Sequence, residues 1–187
     1  MRIGIIGAGR IGGNAGRLFQ EAGHEVFLGS HDTVADAAAF ADVVMLSVPW
    51  TAVDEVLERT RPLGDKVVID TTNPYGPGGV QDLGGRSAGR FNADRMPGAR
   101  VVRAFNTLTS GFQADAAGRS GADRVVLFLS GDDADAKALV GGLIEEIGRR
   151  AGREPSMARS TAPRTRRRSS RRSVPAARSR RRRATTS

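Results

Sequence analysis

The sequence predicts an α/β domain, a doubly wound and mostly parallel sheet with helices on both faces, and three observations carry that expectation. Short β-branched apolar runs alternate with helix-period segments from the N-terminus to Gly148. The runs are almost continuously apolar, which suits strands covered on both faces. Five glycines crowd the stretch GIIGAGRIGG, residues 4–13, where the first strand should turn into the first helix.

Six runs read as strands: RIGII (2–6), EVFLG (25–29), DVVMLSV (42–48), KVVID (66–70), RVVRAF (100–105) and RVVLFL (124–129). Between the first two, Ile11, Ala15, Leu18, Phe19 and Ala22 fall on one helical face, and Leu139, Leu143, Ile144 and Ile147 do so near the end of the pattern. Thr51 and Asp54 form a capping-box-like helix start, and Gly148 suits a helix C-terminus. Residues 73–89, NPYGPGGVQDLGGRSAG, read as a Gly/Pro-rich loop long enough to be a functional flap.

A chain of 187 residues accommodates one folded domain. It has no cysteine, which excludes disulfides, thiolate metal sites and cysteine nucleophiles, and its two histidines leave little for a metal. No run of about 18 apolar residues exists to span a membrane, and no leader pattern is present, so the expected location is cytoplasmic. The net charge of +9 divides unevenly: residues 1–148 carry −5 and residues 149–187 carry +14, with 15 arginines and only Glu154 opposing them. The expected organisation is therefore a domain over 1–148 and an Arg-rich tail over 149–187.

Gly7, Gly9 and Gly12 form a G-x-G-x-x-G between a strand and a helix. In that context Gly7 permits the tight turn, Gly9 admits a pyrophosphate to the backbone, and Gly12 lets helix and strand pack closely. Free amides at the helix start would then bind the anion, which points to a Rossmann-like dinucleotide site. An NAD-preferring site carries an acidic residue at the end of the second strand. Here FLGSHDT offers Ser30 and His31, which can donate to a 2′-phosphate, so NADP is expected; Asp32 would reach the ribose position only if the strand ended one residue later. His31 reads equally as a surface turn residue, and His24 as a structural one. No Ser/His/Asp group, carboxylate pair or metal cluster is evident, so neither catalytic side chains nor metal ligands are assigned.

With these residues in place the chain resembles the F420-dependent NADP oxidoreductases, also called NADPH-dependent F420 reductases, over residues 1–148. The matching pieces are RIGIIGAGRIGG, AGHEVFLGSH, DVVMLSVPW, KVVIDTTNPYGP, VVRAFNTL and the segment from GDDADAK to EEIG. The resemblance implies a domain that holds NADP with its nicotinamide facing a deazaflavin, coenzyme F420, so that hydride passes between two rings. It aligns Ala8, Gly9, Arg10 and Ile11 with the phosphate turn, and Ser30 and His31 with the 2′-phosphate site. Archaeal members typically carry arginine at the second position, and a histidine there is a weaker, pH-dependent phosphate ligand. Val48, Pro49, Trp50, Asn73, Pro74 and Ala104 fall at strand C-terminal ends, the ligand edge of such sheets. Trp50 and Tyr75 can flank a flat ring or simply pack; Asn73 and Asn106 can orient a carboxamide or serve turns. Hydride transfer between two bound cofactors depends on their distance and orientation, which asks little of acid–base side chains. The same domain could instead serve an NADPH-dependent flavin, ferric or imine reductase, although imine reductases add a helical domain, and the non-catalytic alternative is a protein that only binds or senses NADP or a truncated inactive family member.

The resemblance also implies a further short strand and a closing segment that serves the deazaflavin side and a homodimer. The Arg-rich tail has no aromatic residue and almost no large aliphatic one, so it is expected to be disordered. It is either a basic arm, with nucleic acid as a non-specific partner, or the product of a frameshift in a GC-rich gene, the reading the abrupt change at Arg149 favours.

Overall fold

The computed structural model describes residues 1–60, 62–115 and 123–153. Strand β1 (Arg2–Ile6) leads into α1 (Arg10–Glu21), β2 (Glu25–Gly29), α2 (Val34–Phe40), β3 (Val43–Leu46), α3 (Val53–Thr60) and β4 (Val67–Asp70). A small hairpin, β5 (Tyr75–Gly76) and β6 (Gly79–Val80), precedes α4 (Ala88–Arg95), β7 (Arg100–Arg103), α5 (Ser110–Asp115), β8 (Val126–Gly131), α6 (Ala134–Glu146) and β9 (Arg150–Arg153). The main sheet has the order β2-β1-β3-β4-β7-β8-β9, parallel except for the β7–β8 pair. The expected doubly wound, mostly parallel sheet is the fold observed.

Period-two alternation divides the strands between two cores. Ile3 and Ile5 of β1, Met45 of β3 and Ile69 of β4 pack with Phe19 of α1 and Val140 and Ile144 of α6. Ile6, Val44, Leu46 and Val68 point the other way, onto Val34 and Ala38 of α2 and Val53 and Leu57 of α3. Full burial of an aliphatic side chain contributes about 1.5–3 kcal/mol, so the three buried isoleucines of β1 alone anchor the sheet centre. Helix α2 comes so near β1 that a Cβ on Gly4 would stand 2.0 Å from the Ala37 carbonyl oxygen. His24 is structural: its Nε2 lies 2.7 Å from Glu146 Oε2, and its ring meets Phe19 edge-on.

Three expectations are corrected. Thr51 does not cap a helix: Trp50–Ala52 form a 3₁₀ turn after Pro49, and α3 begins at Val53 with Asp54 in its first turn. The loop over 73–89 contains the hairpin and ends in a helix that the polar sequence AGRFNADR does not advertise; Ser87 caps α4, its side chain accepting from the Arg90 amide. Regular structure also continues past the expected boundary at 148. Gly148, at φ +74°, turns the chain back, Arg149 is buried against Gln113, and β9 pairs parallel with β8. A strand added to a sheet edge is held by main-chain hydrogen bonds, which need no apolar side chain, so low hydrophobicity did not reveal it. Burial pushes the Arg149 guanidinium below its ordinary value. The remainder of the expected tail, 154–187, lies outside the described residues. Among the described residues no helix is long and apolar enough to cross a membrane.

Candidate functional site

Because β2 and β3 lie on opposite sides of β1, the winding direction reverses between β1 and β3. Ligands of open α/β sheets bind at such a switch point, outside the strand C-termini. A cleft of about 380 Å³ opens there, bordered by Gly9, Arg10 and Ile11 of the first turn, Ser47–Trp50 after β3, Thr71–Asn73 after β4, Tyr75 and Ser110.

The glycines of the first turn do different work. Gly7 sits at φ +108°, and a Cβ there would stand 2.3 Å from the Ser47 carbonyl oxygen; a Cβ on Gly12 would stand 2.1 Å from that of Gly7. Both are required by the protein's own packing, and Gly12 is buried. Gly9 is different: it has ordinary backbone angles, φ −71° and ψ −173°, and no atom within 4 Å of where its Cβ would be. Nothing inside the protein requires a glycine at that point. As N-cap of α1 it offers no side chain, and the first helical turn has no acidic residue, so the amides after it face the cleft with the positive end of the helix dipole unopposed. This is a cradle of the right chemistry for a diphosphate.

Strand β2 ends at Gly29, as the sequence pattern predicts, so Ser30 is the first residue beyond it and Asp32 stands in the following 3₁₀ turn. Ser30 closes a reciprocal capping box with Thr33. His31 is exposed, its Nδ1 3.0 Å from Asp32 Oδ1 and its Nε2 3.6 Å from Glu55 Oε1 and 3.5 Å from Arg59 Nη1. The hydrogen bond from His31, and then its charge, hold the Asp32 carboxyl below its usual range. This corner is separate from the 380 Å³ cleft and lies on the β2 side of the glycine turn.

On the other side, Val48 and Pro49 border the cleft, and Ala8 is exposed beside Gly9. Trp50 borders it too but is 4% exposed and committed elsewhere: Nε1 donates to Gln81 Oε1 at 2.9 Å, the ring packs at a tilt against Phe91, and the Arg95 guanidinium lies 4.9 Å from the ring centroid. It anchors the 73–89 flap and packs at the cleft wall. Tyr75, 62% exposed, remains free to flank a ring. Asn73 borders the cleft with its amide already taken, Nδ2 donating to Asn106 O at 2.8 Å. Pro74 sits at the hairpin base, accepting from the Gln81 amide. Ala104 is fully buried in the core and does not reach the cleft. Next to it Phe105 adopts φ +62°, a strained conformation for a bulky residue that costs about 1–3 kcal/mol. Gln113 holds it there, donating to the carbonyls of Phe105 and Leu108 at 3.0 and 2.9 Å.

Ser47, Thr71, Thr72 and Ser110 were not singled out from sequence. The first three follow strand C-termini, a position that could have flagged them. Ser110 carries no such signal: Asn14, 96 residues away, brings it in by donating to its carbonyl at 3.2 Å. Among the described residues no group of His, Asp and Glu could hold a metal.

The fold and the bare-amide turn define a Rossmann-like dinucleotide-binding domain. The family model described as NADP oxidoreductase coenzyme F420-dependent matches residues 29–74. The chain is 34% identical over 145 residues to the F420-dependent NADP reductase of Methanothermobacter thermautotrophicus, covering 59% of this chain and 62% of that protein, so it spans under two thirds of that relative's length. The hypothetical protein SMa0349 of Sinorhizobium meliloti superposes with a TM-score of 0.72 at 30% identity, covering 86% of this chain and 87% of that one. An Arthrobacter sp. FB24 structure, described as a candidate F420-dependent NADP-reductase, gives 0.73 at 24% identity over 84% and 86%. The chain is thus similar to the F420-dependent NADP oxidoreductases, by the family model over residues 29–74 and by the Methanothermobacter reductase over 145 residues.

Proposed function

We propose that this chain binds NADP(H) across the switch point and supports hydride transfer between the nicotinamide and a second planar redox molecule, coenzyme F420 being the acceptor the family favours. The observation that carries the reading is Gly9, whose missing side chain leaves open space and free amides with no internal use. Gly9, Arg10 and Ile11 would hold the diphosphate, Ser30 and His31 the 2′-phosphate, with Arg59 close by. Val48, Pro49, Asn73 and Tyr75 would border the nicotinamide and its partner. When bound, the nicotinamide supplies or accepts the hydride; the protein fixes the distance and angle of approach and keeps water away.

Calorimetry with NADPH and NADH, followed by NADPH oxidation on adding F420, flavin or a ferric chelate, tests the reading. The expected result is tighter binding of NADPH and turnover with F420. Absence of affinity for both nucleotides in folded protein overturns the reading, and NADPH binding without turnover on any acceptor favours a protein that only binds.

A further inference from the structure

A buried polar chain runs beneath the cleft floor, and the reading above gives it no role. Asp70, the last residue of β4, is fully buried and in register with Arg103, the last of β7. Asp70 Oδ1 accepts from the Thr72 amide at 2.9 Å and the Thr72 hydroxyl at 2.8 Å. Its Oδ2 accepts from Asn92 Nδ2 at 3.0 Å and Arg103 Nη1 at 3.2 Å. The other arm of the guanidinium, Nη2, donates to Thr72 O at 2.9 Å and Asn73 Oδ1 at 3.1 Å. Asn73 then reaches Asn106 O, next to the strained Phe105.

Burying an ion pair costs desolvation that a packed apolar pair of similar volume avoids, so strand cohesion alone does not explain this one. An apolar pair could not fix the Thr72 carbonyl and the Asn73 amide in one orientation. Both residues border the cleft, whereas Arg103 does not. The β3 and β4 ends lie across β1 from the Ser30–His31 corner, so a nucleotide with its 2′-phosphate at that corner and its diphosphate on the glycine turn would reach them with its redox half.

We propose that Arg103 is a positioning residue for the nicotinamide half of the bound nucleotide: anchored on Asp70, its fork sets Thr72 and Asn73 and leaves the adenosine half untouched. The proposal rests on the NADP(H) reading. Titrating the full chain with NADPH and with adenosine 2′,5′-bisphosphate, which lacks the nicotinamide, tests it. Arg103→Lys keeps the positive charge beside Asp70 but loses the planar fork. Losing two buried hydrogen bonds on the cleft floor should weaken NADPH about tenfold and leave the bisphosphate within about twofold. Asn73→Ala, which spares the Asp70–Arg103 contact, should show the same split in smaller measure, and it decides the matter alone if Arg103→Lys does not fold. Parallel weakening of both ligands, or unchanged NADPH affinity, overturns the proposal. If the unaltered chain binds neither ligand, the NADP(H) reading fails and takes the proposal with it, an outcome visible before any substitution is made.

Discussion

At the β1–β2 end of the cleft the groups offered to a ligand are main-chain amides exposed by glycine, while at the β4–β7 end they are side chains and carbonyls held by a buried ion pair. The first arrangement is local: Gly7, Gly9 and Gly12 span a single turn, and their spacing alone carries the geometry. The second joins Asp70, Asn92 and Arg103 from three separate elements. A backbone cradle suits an invariant diphosphate, which needs donors and close approach. A side-chain network suits the end where a ring must be held at a defined angle, since it can be adjusted one residue at a time.

The largest effect expected from breaking this contrast is at the side-chain end. Asp70→Ala strands Arg103 without its buried counter-charge and should cost about 3–5 kcal/mol, read as a lower midpoint in urea. The glycine end should split. Gly12→Ala forces a Cβ into the Gly7 carbonyl and should cost about 1–3 kcal/mol in the same measurement. Gly9→Ala should cost about 1 kcal/mol or less, since it meets no atom, yet weaken NADPH about tenfold by blocking the diphosphate. Equal destabilisation at Gly9 and Gly12 would erase the distinction between packing glycine and ligand glycine.

A smaller change sharpens the adenosine corner. His31→Ala should reduce the preference for NADPH over NADH about fivefold, the share of one hydrogen bond to phosphate, measured as a ratio of dissociation constants. The smallest effect belongs to neither end. Arg2 Nη2 lies 2.6 Å from Asp42 Oδ1 on the exposed rim, and that hydrogen bond holds the Asp42 carboxyl below its ordinary value. A carboxyl lowered by folding stabilises above its unfolded pKa and loses that stabilisation as pH falls through the folded value. Arg2→Ala should therefore lower the melting temperature slightly at neutral pH, with the difference fading under acid, as thermal melts at several pH values would record.

The expectations that held share a local cause. RIGII and EVFLG coincide with β1 and β2 because each is an apolar run bounded by a turn residue, although only β1 is buried on both faces and Leu28 of the edge strand β2 is exposed. KVVID overran β4 only at Lys66, and RVVRAF overran β7 because Phe105 remains apolar while its backbone has left the β region. Helix α4 went unseen because its stability comes from a Ser87 cap and the Trp50–Phe91 contact, not from an apolar stripe. Trp50 and Ala104 carried the right address, a strand C-terminal end, but side-chain direction turned both into packing residues.

By itself the sequence determined the winding of the sheet and the phosphate turn, since apolar period and glycine spacing act over a few residues and leave a pattern that can be read in order. Only the tertiary structure decided that Trp50 is packed, that Asp70, Asn92 and Arg103 form one network beneath the cleft, and that Arg149 is core and not tail. Those depend on contacts between residues tens of positions apart, and a buried hydrogen bond or a close backbone approach leaves no periodic trace in the chain that makes it.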